Sequence, residues 1–141
     1  MPIQTAKNLS SQTWLVTPDL LGVLNSEGYF EGTNPAWFAT LGWRPEDIES
    51  RQFFDFIHPD DMAKTEAAFA AIQKGLPILM FENRYQHKDG SYRWLSWNAV
   101  PEGDRYYCSA RDVTQDHENR SALSSREEEA RFREQFIAVL G

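Results

Sequence analysis

Residues Ile78–Thr114 have the sequence ILMFENRYQHKDGSYRWLSWNAVPEGDRYYCSARDVT. Apolar and polar side chains alternate in three runs of this stretch, at about 78–87, 92–100 and 105–113, and such alternation is typical of β-strands with one buried face. Lys88-Asp89-Gly90 and Pro101-Glu102-Gly103-Asp104 separate the runs, and both are favourable turn sequences. The stretch therefore predicts three consecutive strands joined by tight turns.

The two faces of these strands differ in polarity, because successive side chains of a strand point to opposite sides of the sheet. The face predicted to cover the core carries Leu79, Phe81, Asn83, Tyr85, Leu95, Trp97, Ala99, Tyr106, Cys108 and Ala110. The opposite face is more polar, apart from Met80, Trp94 and Tyr107. Since apolar patches on a sheet surface mark contact sites, we expect these three to be covered by the N-terminal segment or by a second copy in a homodimer.

The preceding residues predict a β-hairpin at 22–31, followed by helices. Asn34 is a candidate N-cap before Pro35, since Asn accepts hydrogen bonds from the first helical turn and Pro suits its first position. His58-Pro59-Asp60-Asp61 then begins a longer helix that ends at Gly75. The predicted order is β-β, helices, β-β-β, which indicates an α+β fold.

Length and charge restrict the class of protein. The chain has 141 residues, a net charge of −7 and one cysteine, so its length fits one domain. An internal disulfide is excluded. No apolar run approaches the roughly 18 residues of a membrane span, and no basic stripe suits nucleic acid. We expect a cytoplasmic domain that contacts neither membrane nor nucleic acid, whether its parent protein is soluble or membrane-anchored.

Six motifs follow one another along the chain: Asn25-Ser26-Glu27-Gly28, Asn34-Pro35, Leu41-Gly42-Trp43, His58-Pro59-Asp60-Asp61, Lys88-Asp89-Gly90-Ser91-Tyr92-Arg93-Trp94 and Arg111-Asp112-Val113-Thr114. In this order they resemble the motifs of PAS domains, and the resemblance covers about 17–116. It implies the PAS fold, a five-stranded antiparallel sheet with short helices on one face, which in some members enclose heme, flavin or a small metabolite. Residues 1–16 are then an N-terminal cap or lead-in, 17–116 the PAS sensory domain and 117–141 a signalling helix.

The implied pocket has eight candidate residues, with Asn83 and Tyr85 as polar anchors among apolar walls. They are Phe54, Phe69, Phe81, Asn83, Tyr85, Leu95, Trp97 and Cys108. Two interpretations stay open, because bulky aromatic side chains can also fill such a space by packing alone. The pocket either holds a small-molecule ligand or is filled by the protein itself.

The sequence identifies no cofactor. His58 lies in a helix-start motif shared with relatives that lack heme, so we expect a surface or capping role for it and no heme. His87 and His117 are far from it in sequence, and no metal-binding pattern is present. A flavin photoreceptor of the light-oxygen-voltage kind needs a cysteine where this chain has Ser50-Arg51-Gln52-Phe53, which excludes that photochemistry. For Cys108 we expect a buried, unreactive thiol.

The end of the chain resembles a signal-output element. Asp112-Val113-Thr114 is similar to the Asp-Ile/Val-Thr motif through which PAS domains pass their signal to a following helix, although it could also act as a simple cap. Residues 133–141 resemble the stretch before the phosphoacceptor histidine of sensor histidine kinases, so we expect kinase domains to follow in cis. The helix that joins these motifs is either continuous or broken at Ser124-Ser125, where a capping box begins.

These resemblances predict a regulatory input domain of a two-component sensor histidine kinase. It would control autophosphorylation of a downstream histidine through the strand-to-helix junction, within a homodimer. The alternative is a dimerisation or relay module with no ligand of its own. The sequence contains no recognisable set of nucleophile, base and oxyanion donors, so we expect no catalysis by this chain, whereas the parent would be a transferase.

Overall fold

Five strands of the computed structural model, which describes residues 12–140, form one antiparallel sheet in the order β2-β1-β5-β4-β3. Their bounds are Leu20–Asn25 (β1), Phe30–Thr33 (β2), Ile78–Gln86 (β3), Tyr92–Glu102 (β4) and Arg105–Asp112 (β5). Each neighbouring pair runs antiparallel. The sheet therefore confirms the predicted hairpin and the three predicted strands, with β1 and β5 adjacent at its centre.

The helices lie between and after these strands. Residues 12–16 are helical (α1), and the others are Ala36–Leu41 (α2), Pro45–Glu49 (α3), Met62–Gln73 (α4) and Thr114–Leu140 (α5), with short 3-10 turns at Phe53–Phe56 and Pro59–Asp61. α2 ends where Gly42 takes a φ of 80° and donates its N–H to the Phe38 carbonyl, a backbone conformation that only glycine adopts freely. α5 is continuous over 27 residues, so the break considered at Ser124-Ser125 does not occur.

The hydrophobic core lies between one sheet face and helices α2, α3 and α4. Trp37, Leu41, Ile48, Phe56 and Leu95 are almost fully buried there. The Trp37 indole also donates a 3.0 Å hydrogen bond to the Leu21 carbonyl, which fixes α2 against β1. None of the helices in the part of the chain described here has the length and apolarity to cross a membrane.

Asn34 does not cap α2 as predicted. Its side chain is buried, and its oxygen accepts a 2.8 Å hydrogen bond from the Leu21 N–H, while its amide nitrogen donates to the carbonyls of Trp14 and Asp19. Because the side chain is fully engaged in these contacts, it is not free to bind the first helical turn. Asn34 instead joins α1, β1 and the start of α2.

The assignment of Leu79 to the core face is wrong, because β3 contains a bulge. Ile78 pairs with Ala99 and Phe81 pairs with Trp97, so two residues of β3 oppose the single residue Asn98 of β4. Met80, between them, takes a φ of 53°. Leu79 is 69% exposed, and Ile78 packs against the core in its place. Alternation alone could not reveal this extra residue.

Candidate functional site

A cavity of about 60 Å³ lies between the sheet and α4. Six of the eight predicted pocket residues line it, namely Phe69, Phe81, Asn83, Tyr85, Trp97 and Cys108. Phe69 comes from α4, Phe81, Asn83 and Tyr85 from β3, Trp97 from β4 and Cys108 from β5. The three C-terminal strands and α4 therefore meet around one space.

The other two predicted residues are buried or half-buried elsewhere. Leu95 is fully buried but does not border the cavity, and Phe54 stacks on Phe53 with ring centroids 4.1 Å apart. Phe53 lines the cavity in its place, together with Phe30. Because both come from segments outside the alternating strands, sequence alternation gave no signal for them. Thr65, which also lines the cavity, could have been found from its position one turn before Phe69 on α4.

A short chain of hydrogen bonds fixes the polar wall of the cavity. The Trp97 indole donates to the Asn83 side-chain oxygen at 3.0 Å, and the Asn83 amide donates to the Thr65 hydroxyl at 3.3 Å. Asn83 is buried, so this satisfied network sets its orientation. The Thr65 hydroxyl accepts in this contact, so its proton is not used there.

Tyr85 and Cys108 are the buried titratable groups of the wall. Burial raises the pKa of the Tyr85 phenol well above its ordinary value, so the phenol stays a neutral hydrogen-bond donor. Its hydroxyl has no hydrogen-bond partner among residues 12–140. Burial also raises the pKa of the Cys108 thiol to about 12, and its sulfur lies 3.6 Å from the Tyr106 carbonyl oxygen. Cys108 is buried, as the sequence predicted.

The size of the cavity restricts what can occupy it. Pockets for drug-sized ligands have volumes of about 300–1,000 Å³, and one water occupies about 30 Å³ of liquid. A space of about 60 Å³ suits a molecule of very few heavy atoms. Aromatic rings, among them Phe30, Trp37 and Trp97 in mutual contact, fill most of the interior. Within the described residues no cluster of His, Cys, Asp and Glu could hold a metal ion.

The second feature is the junction between β5 and α5. Asp112 accepts hydrogen bonds from the Thr114 N–H at 2.9 Å and from the Arg93 guanidinium at 2.9 Å. Desolvation alone would raise the pKa of Asp112, but hydrogen bonds from Thr114 and Arg93 outweigh it and hold the pKa below its ordinary value. The carboxylate therefore stays charged and joins the end of β5 to β4.

The two residues after Asp112 both bind the backbone of Trp94 on β4. The Thr114 hydroxyl oxygen accepts from the Trp94 N–H at 2.8 Å, and the Val113 N–H donates to the Trp94 carbonyl at 2.8 Å. Val113 and Thr114 are buried. The predicted junction residues therefore start α5 and, at the same time, attach it to β4.

Met80, Trp94 and Tyr107, the three apolar residues predicted on the outer sheet face, differ in their surroundings. Met80 is 78% exposed and Tyr107 45% exposed, so both remain available for contact. The His117 ring of α5 stacks on the indole of Trp94. Trp14 of α1 borders a groove of about 320 Å³ that includes Tyr107 and Val100. α1 therefore packs beside the outer face. The rest of the predicted N-terminal cap or lead-in, residues 1–11, lies outside the described residues.

Residues 31–108 match the family model described as PAS fold, which is more than half of the chain. The chain belongs to this family. The five-stranded sheet and the cavity against its helices therefore belong to a PAS domain, as the motifs around His58 and Asp112 indicated.

Solved structures support the same fold. A domain of the sensory box sensor histidine kinase/response regulator from Geobacter sulfurreducens is 18% identical, with a TM-score of 0.69 over 78% of this chain and 96% of that one. The PAS domain of the HTR-like protein from Haloarcula marismortui is 21% identical, with a TM-score of 0.65 over 78% and 98%. An RNA-binding light-oxygen-voltage receptor is 18% identical, with a TM-score of 0.73 over 86% of this chain and 37% of that one. No curated protein sequence matches the chain.

Proposed function

We propose that this PAS domain is the sensory input domain of a two-component sensor histidine kinase and that it regulates autophosphorylation of a histidine in cis. The observation that carries the proposal is the attachment of α5 to β4 by Thr114 and Val113. β4 also contributes Trp97 to the cavity. A single strand therefore connects the candidate sensing site with the helix that leaves the domain.

The proposed mechanism is a shift between two positions of α5. Occupation of the cavity would move β4 and β5 relative to one another, because both strands form its wall. Since Asp112 at the end of β5 is bound to Arg93 on β4, this movement changes the geometry of the first turn of α5. A ligand can drive such a shift only by as much as it prefers one of the two states.

The chemistry of the cavity wall indicates a class of ligand. Asn83 already accepts from Trp97, and the hydroxyls of Thr65 and Tyr85 can each donate a proton to a ligand. No charged side chain lines the cavity. We therefore propose a small, uncharged ligand with a hydrogen-bond acceptor, bound without heme or a flavin adduct.

The proposed assembly is a cytoplasmic homodimer in which two α5 helices extend to the kinase domains. Residues 118–135 of α5 are exposed throughout, which leaves this helix available to a second copy. The net charge of −7 favours neither nucleic acid nor an anionic membrane as a partner.

Two experiments test the proposal. Native mass spectrometry with an absorbance spectrum, on protein purified without added ligand, reports bound mass, chromophore and oligomeric state together. In a fusion of this chain to the dimerisation and catalytic domains of a histidine kinase, Thr114→Val should change the autophosphorylation rate. The exposed Ser121 provides the control Ser121→Ala. Equal rates for the wild type and Thr114→Val would contradict regulation through the junction.

A second candidate function is a dimerisation or relay module with no ligand of its own. The small cavity, about 60 Å³, and its aromatic filling favour this candidate. If this candidate is correct, the native mass spectrum should show a dimer with no bound ligand. Autophosphorylation of the kinase fusion should still change in Thr114→Val. A dimer with a bound small molecule would instead favour the sensory function.

A further inference from the structure

His117 attaches the first turn of α5 to two strands of the sheet. Its ring lies parallel to the Trp94 indole of β4, with centroids 4.0 Å apart and an interplanar angle of 5°. Its Nε2 lies 2.6 Å from a carboxylate oxygen of Glu82 on β3. Because an ionised carboxylate only accepts, the imidazole N–H donates in this contact. One side chain therefore makes a stacking contact and a hydrogen bond on neighbouring strands.

The Trp94 indole has a second partner on β3, where Arg84 lies directly opposite Trp94 in the strand register. The Arg84 guanidinium lies 4.7 Å from the centre of the indole ring, within the range of a cation–π interaction. Arg84 also binds Asp61 with two side-chain hydrogen bonds of 2.8 and 2.9 Å, and its backbone N–H donates to the same carboxylate at 2.8 Å. Asp61 is therefore held firmly to β3, and through Arg84 it is joined to Trp94.

Asp61 immediately precedes α4, the helix that lines the cavity with Thr65 and Phe69. The contacts form one continuous series from the cavity wall through Asp61, Arg84 and Trp94 to His117. This series differs from the junction at Asp112 and Thr114, which acts through the backbone of β4. α5 is thus attached to the backbone of β4 at Val113 and Thr114 and, separately, to the side chains of Trp94 and Glu82 through His117.

We infer that His117 is a positioning residue that holds the first turn of α5 on the sheet, and that the Asp61–Arg84 pair controls how firmly it does so. A movement of α4 then reaches α5 through the Trp94 side chain. The inference rests on the proposed function only in treating α5 as the output. Physical continuity is not itself coupling, so the test must measure an interaction free energy between Arg84 and His117.

The experiment is a double-mutant cycle on the 141-residue chain, read by amide hydrogen exchange in the first turns of α5. His117→Ala should raise exchange there about tenfold, because a stacking contact and a hydrogen bond to a charged group are lost. Amides of β1 should stay protected in the same sample. Arg84→Met should raise exchange in α5 about threefold in the wild type and by much less in the His117→Ala background.

Matched variants separate coupling from general damage. Arg111→Met removes an exposed arginine of β5 and should leave exchange in α5 unchanged. If Arg84→Met does not fold, the cycle uses Arg84→Lys, which keeps the charge but loses the paired hydrogen bonds. His117→Phe keeps the stacking on Trp94, so it should recover part of the protection of the α5 amides that His117→Ala loses. If the contact with Trp94 does not hold α5, His117→Phe should recover none of this protection. Additive effects of Arg84 and His117 variants would overturn the inference.

The two proposals fail in different ways. In one case the Arg84 and His117 variants show coupling, but autophosphorylation does not respond to Thr114→Val. This result would support the role of His117 and contradict the proposed kinase regulation. An additive cycle together with regulated autophosphorylation would remove the role of His117 and leave the regulation through Asp112 and Thr114.

Discussion

The Thr114 hydroxyl oxygen accepts a 2.8 Å hydrogen bond from the backbone N–H of Trp94. Thr114→Val removes the acceptor at nearly constant volume, so the N–H loses its partner. We expect the free energy of unfolding to fall by about 1–3 kcal/mol, measured by urea denaturation. Thr114→Ser keeps the hydroxyl and should cost much less. Equal losses in the two variants would show that the methyl group, rather than the hydrogen bond, matters.

Asp61 should make stability depend on pH. Burial alone would raise its pKa, but the hydrogen bonds from Arg84 and the charge of Lys64 outweigh it and lower the pKa in the folded state. Because the pKa is lower in the folded state, the Asp61 carboxylate stabilises the fold fully above the unfolded-state pKa of about 3.9. This stabilisation is lost as the pH falls through the folded-state pKa. Asp61→Asn should therefore lower stability by about 2 kcal/mol at pH 7, with a smaller difference from the wild type at pH 3.

The exposed Asp55 provides the control for that pH series. Asp55→Asn should differ little from the wild type at any pH, since surface substitutions usually change stability by less than about 0.5 kcal/mol. A difference between wild type and Asp61→Asn that stays constant down to pH 3 would contradict the role of the carboxylate charge.

Gly22 and Gly32 offer a matched pair of substitutions on adjacent strands. A Cβ at Gly22 would lie 2.8 Å from the Phe30 ring, whereas a Cβ at Gly32 would meet only Trp14 at 3.9 Å. Because Phe30 is packed among other rings, we expect Gly22→Ala to destabilise the domain by about 1–3 kcal/mol. Gly32→Ala should be close to neutral in the same thermal unfolding measurement. The reverse ranking would show that Phe30 can move freely.

Cys108 should resist thiol reagents in the native protein. With a pKa of about 12, roughly one thiol in ten thousand is ionised at pH 8, and the thiolate is the reactive form. Ellman's reagent should therefore react slowly with the native chain and label one thiol per chain rapidly after denaturation. Complete labelling of the native protein within the mixing time would show that β5 opens readily to solvent.

Tyr107 tests the proposed dimer on the outer face. It pairs with Val100 of β4 and Val23 of β1, and both it and Val100 are exposed. Tyr107→Glu would bring a charge into this patch, so we expect weaker dimers in sedimentation at matched concentration. The exposed Phe38 on α2 supplies the control, since Phe38→Glu should not alter dimerisation. Unchanged dimers in Tyr107→Glu would remove this face as the interface.

The sequence predicted the parts of the domain in which local pattern and tertiary structure agree. Strands β4 and β5 alternate regularly, and Trp97 and Cys108 are buried on the face that this alternation assigns to the core. The cap at His58 was also correct, because its Nδ1 accepts from the Asp60 N–H two residues later. Such short-range features depend on few residues and are visible in one sequence.

The features that the sequence missed depend on contacts between distant residues. Asn34 looked like a helix cap, but its side-chain oxygen accepts a hydrogen bond from the N–H of Leu21 on β1, which lies 13 residues earlier in the chain. His117 lay in a charged tail and had no visible role, since Glu82 is 35 residues away. The bulge at Leu79 is equally hidden, because an inserted residue leaves the alternation on each side intact.

That bulge has a consequence for association between chains. β3 is an edge strand of the sheet, and a long, flat edge exposes unpaired backbone groups to which a foreign strand can add. At Met80 the strand leaves the extended conformation, with a φ of 53°. β2, the opposite edge, has only four residues. Both borders of the sheet are thereby poor templates for amyloid-like growth.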